Sequence, residues 1–368
     1  MSSSTPIKPR PELLSTAPAV HGAFDFAELE ALDLNPDEVV DFSVNSNPYG
    51  PPPGIHDAIA KVPLERYPDR DCLRLKRTLA AHHEIDPTRI VVGNGSAELL
   101  QLIAQAFICR GDEVVIPSMT FSEYARVSAL AGAKIRMLDW PAPGSELSES
   151  AFAAMASGMA GARVVFLCNP NNPDGRHLPL EWIIRHWVSP CSGTLFVLDE
   201  AYVNFLPESE PAIDRLPANL LVLRSLTKDY SLAGLRLGYL IGEASLIESV
   251  NRACPAWNVN ALAQAAGVFV LNQREWLRQS VLRLQLDKSV LCQHLQALGF
   301  EPIPSALPFF LLPVDNAQDF RQQLLRQGIQ VRDAASFGLP QHVRIATRGT
   351  EDNARLCQAI ASLQGSAE

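Results

Sequence analysis

Short apolar runs recur along this chain, and each breaks off into a polar motif. Ile90-Val91-Val92 runs into Gly93-Asn94-Gly95-Ser96-Ala97-Glu98, and Val164-Val165-Phe166-Leu167-Cys168 into Asn169-Pro170-Asn171-Asn172-Pro173-Asp174-Gly175. Thr194 to Leu198 runs into Asp199-Glu200-Ala201-Tyr202, and Leu220 to Leu223 into the stretch holding Ser225, Thr227 and Lys228. A half-exposed strand alternates apolar and polar residues, whereas near-continuous runs belong to strands buried on both faces. The segments between the runs are long enough for crossover helices, so the pattern predicts a largely parallel sheet with both faces covered. Ligands of such sheets bind at the carboxyl ends of the strands. Asn172, Asp199 and Lys228 all fall there. A lone lysine at a strand exit reads first as a surface residue; three polar motifs in register make it part of a site.

The glycine-rich turn before Leu99 is an anion cradle in its own right. Free backbone N–H groups at a helix start, glycines that permit close approach, and the Ser96 hydroxyl all favour a phosphate. The turn carries neither the lysine-serine/threonine ending of a nucleotide P-loop nor dinucleotide-turn spacing, which removes kinases and dehydrogenases. Past Tyr239 the chain changes character. Ala261 to Leu298 reads as a helical tract dividing near Asn272. Phe309–Leu312, Gln330–Arg332 and His342–Ala346 read as strands, with Thr350–Leu363 a closing helix.

The net charge of −9 argues against general affinity for nucleic acid or an anionic membrane. Seven scattered cysteines without a CxxC pair fit reduced thiols in a cytoplasmic protein rather than a disulfide framework or a metal site. The polar, proline-punctuated first 20 residues read as a disordered or draped arm without a signal peptide. No apolar run reaches the roughly 18 residues of a membrane span.

The ordered motifs together resemble fold type I pyridoxal-phosphate enzymes of aminotransferase class I/II: Gly93 to Glu98, Asn169 to Gly175, Asp199 to Tyr202, and Ser225-Leu226-Thr227-Lys228 with Arg236. The match runs from about residue 40 to the C-terminus. It departs only at Asp174, where the family usually has threonine. The resemblance implies an α/β fold like that of aspartate aminotransferase. A large cofactor-binding domain (51–255) with a mostly parallel seven-stranded sheet flanked by helices is expected. A smaller α+β domain (256–368) follows it, and residues 1–50 form an arm that contributes to the small domain.

It implies pyridoxal 5'-phosphate as cofactor, with Lys228, Asp199 and Tyr202 catalytic: Lys228 forms the Schiff base and Asp199 keeps the pyridine nitrogen protonated. Asn172 and Tyr202 would hold the ring oxygen, and Tyr124 would stack on the ring. Ser96, Ala97, Ser225 and Arg236 would receive the phosphate. Tyr67 would reach the partner subunit's cofactor phosphate, which implies a homodimer. Arg344 would grip a substrate carboxylate.

Two relatives within the family fit the chain. Asn47-Pro48-Tyr49-Gly50 and Asn258 to Gln264 resemble histidinol-phosphate aminotransferase. His21-Gly22, Asp41 to Pro48 and Arg344-Ile345-Ala346-Thr347-Arg348 resemble the threonine-phosphate decarboxylase of cobalamin synthesis. The reading drawn from them is L-threonine-O-3-phosphate decarboxylase, with histidinol-phosphate aminotransferase or another class I/II aminotransferase as the alternative. Both imply a small phosphorylated amino acid or amine, held at a second anion site near Asn45, Tyr49, Asn260, Arg332 or Arg348.

Overall fold

The apolar runs become strands: β1 (Val40–Asp41), β2 (Ile90–Gly93), β3 (Glu113–Pro117), β4 (Lys134–Leu138), β5 (Val164–Cys168), β6 (Leu195–Asp199), β7 (Leu220–Ser225), β8 (Gly238–Ile241), β9 (Phe309–Pro313), β10 (Ile329–Gln330), β11 (Arg332–Asp333) and β12 (His342–Ala346). The computed structural model describes residues 7–146, 148–206, 213 and 216–365. The first six residues of the expected arm lie outside them.

Seven strands make the large sheet, in the order β2-β8-β7-β6-β5-β3-β4. β3 to β7 pair in parallel, while β8 runs antiparallel between β2 and β7. This is the expected mostly parallel seven-stranded sheet. Its central strands show why the sequence runs lacked alternation. Val165, Leu167, Leu198 and Val222 face one core, with Ile183 and Trp187. Val164, Phe166, Val197 and Leu221 face the other, with Leu99 and Ile103 of the helix Gly95–Phe107. Successive side chains point to opposite faces, and both faces are dry.

The smaller sheet, order β11-β12-β9, is antiparallel, and β1 pairs separately in parallel with β10. Phe42 shares its core with Leu295, Phe310, Val343 and Leu356. Gln330–Arg332, read as one strand, is two, because Val331 turns into this core and the chain changes partner from β1 to β12. The long helical tract divides where expected, into Ala261–Val270 and Arg274–Ala297. Ala263, Ala266 and Val270 pack on the large core with Leu75 and Leu79. Leu291 and Leu295 pack on the small one. The helix Arg274–Ala297 thus runs from the large core, where Trp276 and Leu277 pack, to the small one.

The arm is draped over the large sheet's helices. A short helix, Pro11–Ser15, is held by a Glu12–Arg110 ion pair and by Arg10 on the Leu130 carbonyl. Among the described residues no helix is long and apolar enough to cross a membrane, all seven cysteines are free, and no cluster of metal-ligating side chains forms.

Candidate active site

The carboxyl ends of β5, β6 and β7 open into a cavity of about 550 Å³. Ser96, Ala97, Asn172, Asp199, Tyr202, Ser225, Lys228, Arg236 and Arg344 all line it, as does Asn45. Lys228 lies three residues past the end of β7 and is half-buried. Burial first, then the Arg344 and Arg236 guanidiniums, bring its amine down to about 8; Asp41 and Asp199 oppose this only in part. An amine so placed is about one-tenth neutral and nucleophilic at pH 7, far more than an ordinary lysine.

Asp199 is the last residue of β6, in register with Cys168 of β5 and Leu223 of β7. Its Oδ2 accepts from the Tyr124 hydroxyl at 2.7 Å and its Oδ1 from the Ala201 N–H at 3.0 Å. Burial nevertheless raises its carboxyl to about 6. A buried carboxylate with unmet demand for positive charge is what a protonated ring nitrogen would satisfy.

Tyr124 also lines the cavity, packed from behind. It is fully buried, stacked on Phe166 at 5.3 Å with 3° between planes, and its hydroxyl is spent on Asp199. Phe121, half-buried, lines the cavity as well, 5.6 Å from the His21 ring. Its signal was its place as the first aromatic after the exit of β3.

The anion end is built by close backbone approach. Gly95 begins the helix Gly95–Phe107 with φ +81°, and a Cβ there would lie 2.9 Å from Arg236 Nη2. A Cβ on Gly238 would lie 2.8 Å from the Ser96 nitrogen. Glu98 takes the Asn94 N–H and the Asn258 amide, each at 2.7 Å, so its carboxylate closes the outer side of the turn. The Ser225 and Thr227 hydroxyls share a 2.7 Å hydrogen bond beside it.

The opposite wall is cationic. Arg344 donates to Asn172 Oδ1 at 2.5 Å and to the Ser43 carbonyl at 2.6 Å, while its Nε is buried without a hydrogen-bond partner. Asn172 therefore keeps its amide N–H donors for a ligand. Tyr202 accepts from Asn45 Nδ2 at 3.4 Å, and burial pushes its phenol up to about 12. Arg332 stands opposite Arg344 across β11 and β12 and also faces the cavity, donating to the Val20 carbonyl at 3.0 Å and Ser336 at 2.6 Å.

Other expected residues lie elsewhere. Asn260 caps the helix Ala261–Val270, and Tyr49 bonds Asp287 under the Arg283 guanidinium. Arg348 sits 3.6 Å from Asp352, beyond the end of β12. Tyr67 is 80% exposed and packs on Trp257 at 4.8 Å. Asp174, the departure from the family turn, accepts from Asn171 at 2.8 Å and lies 3.6 Å from Arg176.

The profile of the family "Aminotransferase class I and II" matches residues 37–360. The chain is 35% identical to histidinol-phosphate aminotransferase 2 of Pseudomonas aeruginosa over 340 residues, 89% of this chain and 90% of the relative. It is 36% identical to histidinol-phosphate aminotransferase 2 of Ralstonia nicotianae over 344 residues, 90% of each. Its fold superposes on histidinol-phosphate aminotransferase from Sinorhizobium meliloti in complex with pyridoxal-5'-phosphate with TM-score 0.87 at 23% identity, covering 100% of both chains. L-threonine-O-3-phosphate decarboxylase from Porphyromonas gingivalis gives TM-score 0.75 at 28% identity, covering 88% of this chain and 99% of the other.

The cavity fits the cofactor these proteins imply. A glycine-lined helix start with Arg236 suits its phosphate, Asp199 its ring nitrogen, and the Lys228 amine its aldehyde. The chain belongs to the aminotransferase class I and II family of pyridoxal-phosphate-dependent enzymes.

Proposed function

We propose that this enzyme is an aminotransferase of the histidinol-phosphate type, moving an amino group between a small phosphorylated amine and a 2-oxo acid. The identity of 35–36% over nine-tenths of the chain to proteins of that name carries this reading. It displaces threonine-phosphate decarboxylation as first choice. That second reading keeps two supports: the 28% identical decarboxylase structure and the His21-Gly22 segment at the cavity wall. Supplying histidinol phosphate with 2-oxoglutarate, and O-phosphothreonine alone, separates the two. Glutamate formation in the first assay supports transamination; carbon dioxide release in the second, without the first, sinks it.

When bound, the cofactor supplies an electron sink for the bond broken at the substrate's Cα. The chain's residues do the rest. Lys228, its amine brought down to about 8 by burial and two arginines, would attach the cofactor and then take and return the Cα proton. Asp199 holds positive charge at the ring nitrogen. Asn172 and Tyr202 would hold the ring oxygen, and Phe121 would cover the ring face. Arg344 receives a carboxylate through its unpartnered Nε, and Arg332 the substrate phosphate.

Two desolvated guanidiniums on facing positions of one small sheet are costly until an anion joins them. Arg332→Ala is therefore expected to raise KM for the phosphorylated substrate by about 30-fold, the worth of one charge-assisted contact, and to leave KM for glutamate within about threefold. Steady-state kinetics with each substrate reads both numbers. Equal loss for both would place the phosphate elsewhere.

A cytoplasmic homodimer completes the proposal. The exposed face carrying Leu64 (81%), Tyr67 (80%) and Trp257 (48%) is the apolar patch such a contact needs. Sedimentation should find a dimer for the parent protein and monomer for Tyr67→Arg.

A further inference from the structure

Lys228 sits on an irregular turn, so something must fix its backbone before its amine can be aimed. That fixture is largely one residue. The Asn47 N–H donates to the Lys228 carbonyl at 2.8 Å, and its side-chain amide donates to the Asp229 carbonyl at 3.0 Å and to Ser280 Oγ at 2.8 Å. Its own carbonyl accepts from Ser231 Oγ at 2.5 Å, and its Oδ1 from the Tyr49 N–H at 3.2 Å. Asn47 is 1% exposed, and every hydrogen-bonding group it owns is used. Ser280 belongs to the helix Arg274–Ala297, the element that packs on both cores.

The residues just before Asn47 hold the cationic wall. The Ser43 carbonyl takes Arg344, Asn45 reaches Tyr202, and Phe42 exchanges backbone bonds with Gln330 and Ala346. Six residues thus run from the substrate arginine to the turn of the lysine, tied at both ends. We propose that Asn47 is a positioning residue for Lys228, and that residues 42–47 couple the placing of Arg344 to the aim of the lysine amine. The proposal rests on Lys228 being the amine that carries the cofactor.

Asn47→Ala keeps the contacts of its own backbone and removes both amide donations together with the acceptor of the Tyr49 N–H. The turn then relaxes toward water and the amine regains hydration. Four charged groups act on that amine, Arg344 from β12, Arg236, Asp41 from β1 and Asp199 from β6, and the Tyr202 phenol lines the same cavity. None is removed by the substitution, so a change in the lysine's titration reports its position.

Borohydride reduction of the cofactor-loaded parent protein, followed by peptide mapping, first shows which lysine carries the cofactor. A site other than Lys228 overturns the functional reading and this proposal with it. The full-length chain freed of cofactor is then labelled with trinitrobenzenesulfonate across pH, with Lys228 followed by mass spectrometry. For Asn47→Ala the labelling midpoint should rise by roughly one pH unit. In the loaded enzyme kcat should fall by about 100-fold, with KM within about threefold. An unchanged midpoint, whatever happens to kcat or to thermal stability, would reduce Asn47 to a packing role. Should Asn47→Ala fail to fold, Ser231→Ala removes only the hydroxyl contact to the Asn47 carbonyl. It is judged by the same midpoint, and no shift there overturns the proposal.

Discussion

Replacing Lys228 with alanine is expected to lower kcat by roughly four orders of magnitude, since nucleophile and proton carrier are lost together. The variant should still take up cofactor through the helix start at Gly95, Ser225 and Arg236, but reversibly, so that gel filtration strips it. Borohydride should then fix no cofactor to the chain. The fold should survive. The Lys228 amine has no side-chain partner among the described residues, and its charge is disfavoured by burial and by Arg344 and Arg236. A base whose folded pKa is depressed destabilises the fold while it is protonated, below about 8, and that penalty fades as pH rises toward 10.5. At pH 7 the ligand-free alanine variant should therefore melt no lower than its parent. Retained turnover within tenfold would remove Lys228 from the chemistry.

Asp199→Asn is the second large effect, and it pulls activity and stability apart. An amide cannot hold a positive charge at the ring nitrogen, so kcat should drop by roughly a thousandfold, the usual scale for losing a buried electrostatic partner. The ligand-free fold should gain. Burial lifts the Asp199 carboxyl from 3.8 to about 6, so its ionisation opposes folding fully above about pH 6 and not at all below 3.8. Two pKa units correspond to about 3 kcal/mol. Asparagine has one acceptor oxygen for two donors, Tyr124 and Ala201, which gives back about 1 kcal/mol. Urea unfolding of the ligand-free chains at pH 5 and pH 8 tests this. The variant should be more stable than its parent at pH 8 and by a smaller margin at pH 5. Equal margins would mean that Asp199 is already ionised at pH 5 in the ligand-free fold and that burial does not raise its carboxyl.

The strands and the ends that carry Asn172, Asp199 and Lys228 were legible because dry central strands leave continuous apolar runs that stop at polar residues. What escaped was decided by direction. Tyr124 and Phe121 lie three positions apart, and only the start of the helix Glu123–Leu130 shows which one turns inward. Arg332 and Arg348 looked alike in sequence. One lies on β11 opposite Arg344; the other has left the sheet and meets Asp352. Asn260 and Tyr49 are polar residues in well-matched motifs whose hydrogen bonds are taken locally. Transamination and decarboxylation differ by a rotation of one bond over the cofactor ring, and no residue pattern records an angle.

The draped arm reaches further than its anchoring by Glu12 implies. Residues 18–22 line the cavity, and His21 meets Glu123 at 3.0 Å. The family profile begins at residue 37. The stretch that the profile describes and the stretch that lines the cavity therefore do not coincide. A gene trimmed to residues 37–360 would still encode Lys228, Asp199 and Arg344, but with one side of their chamber missing. The arm therefore supplies a part of the cavity wall that the family profile leaves out.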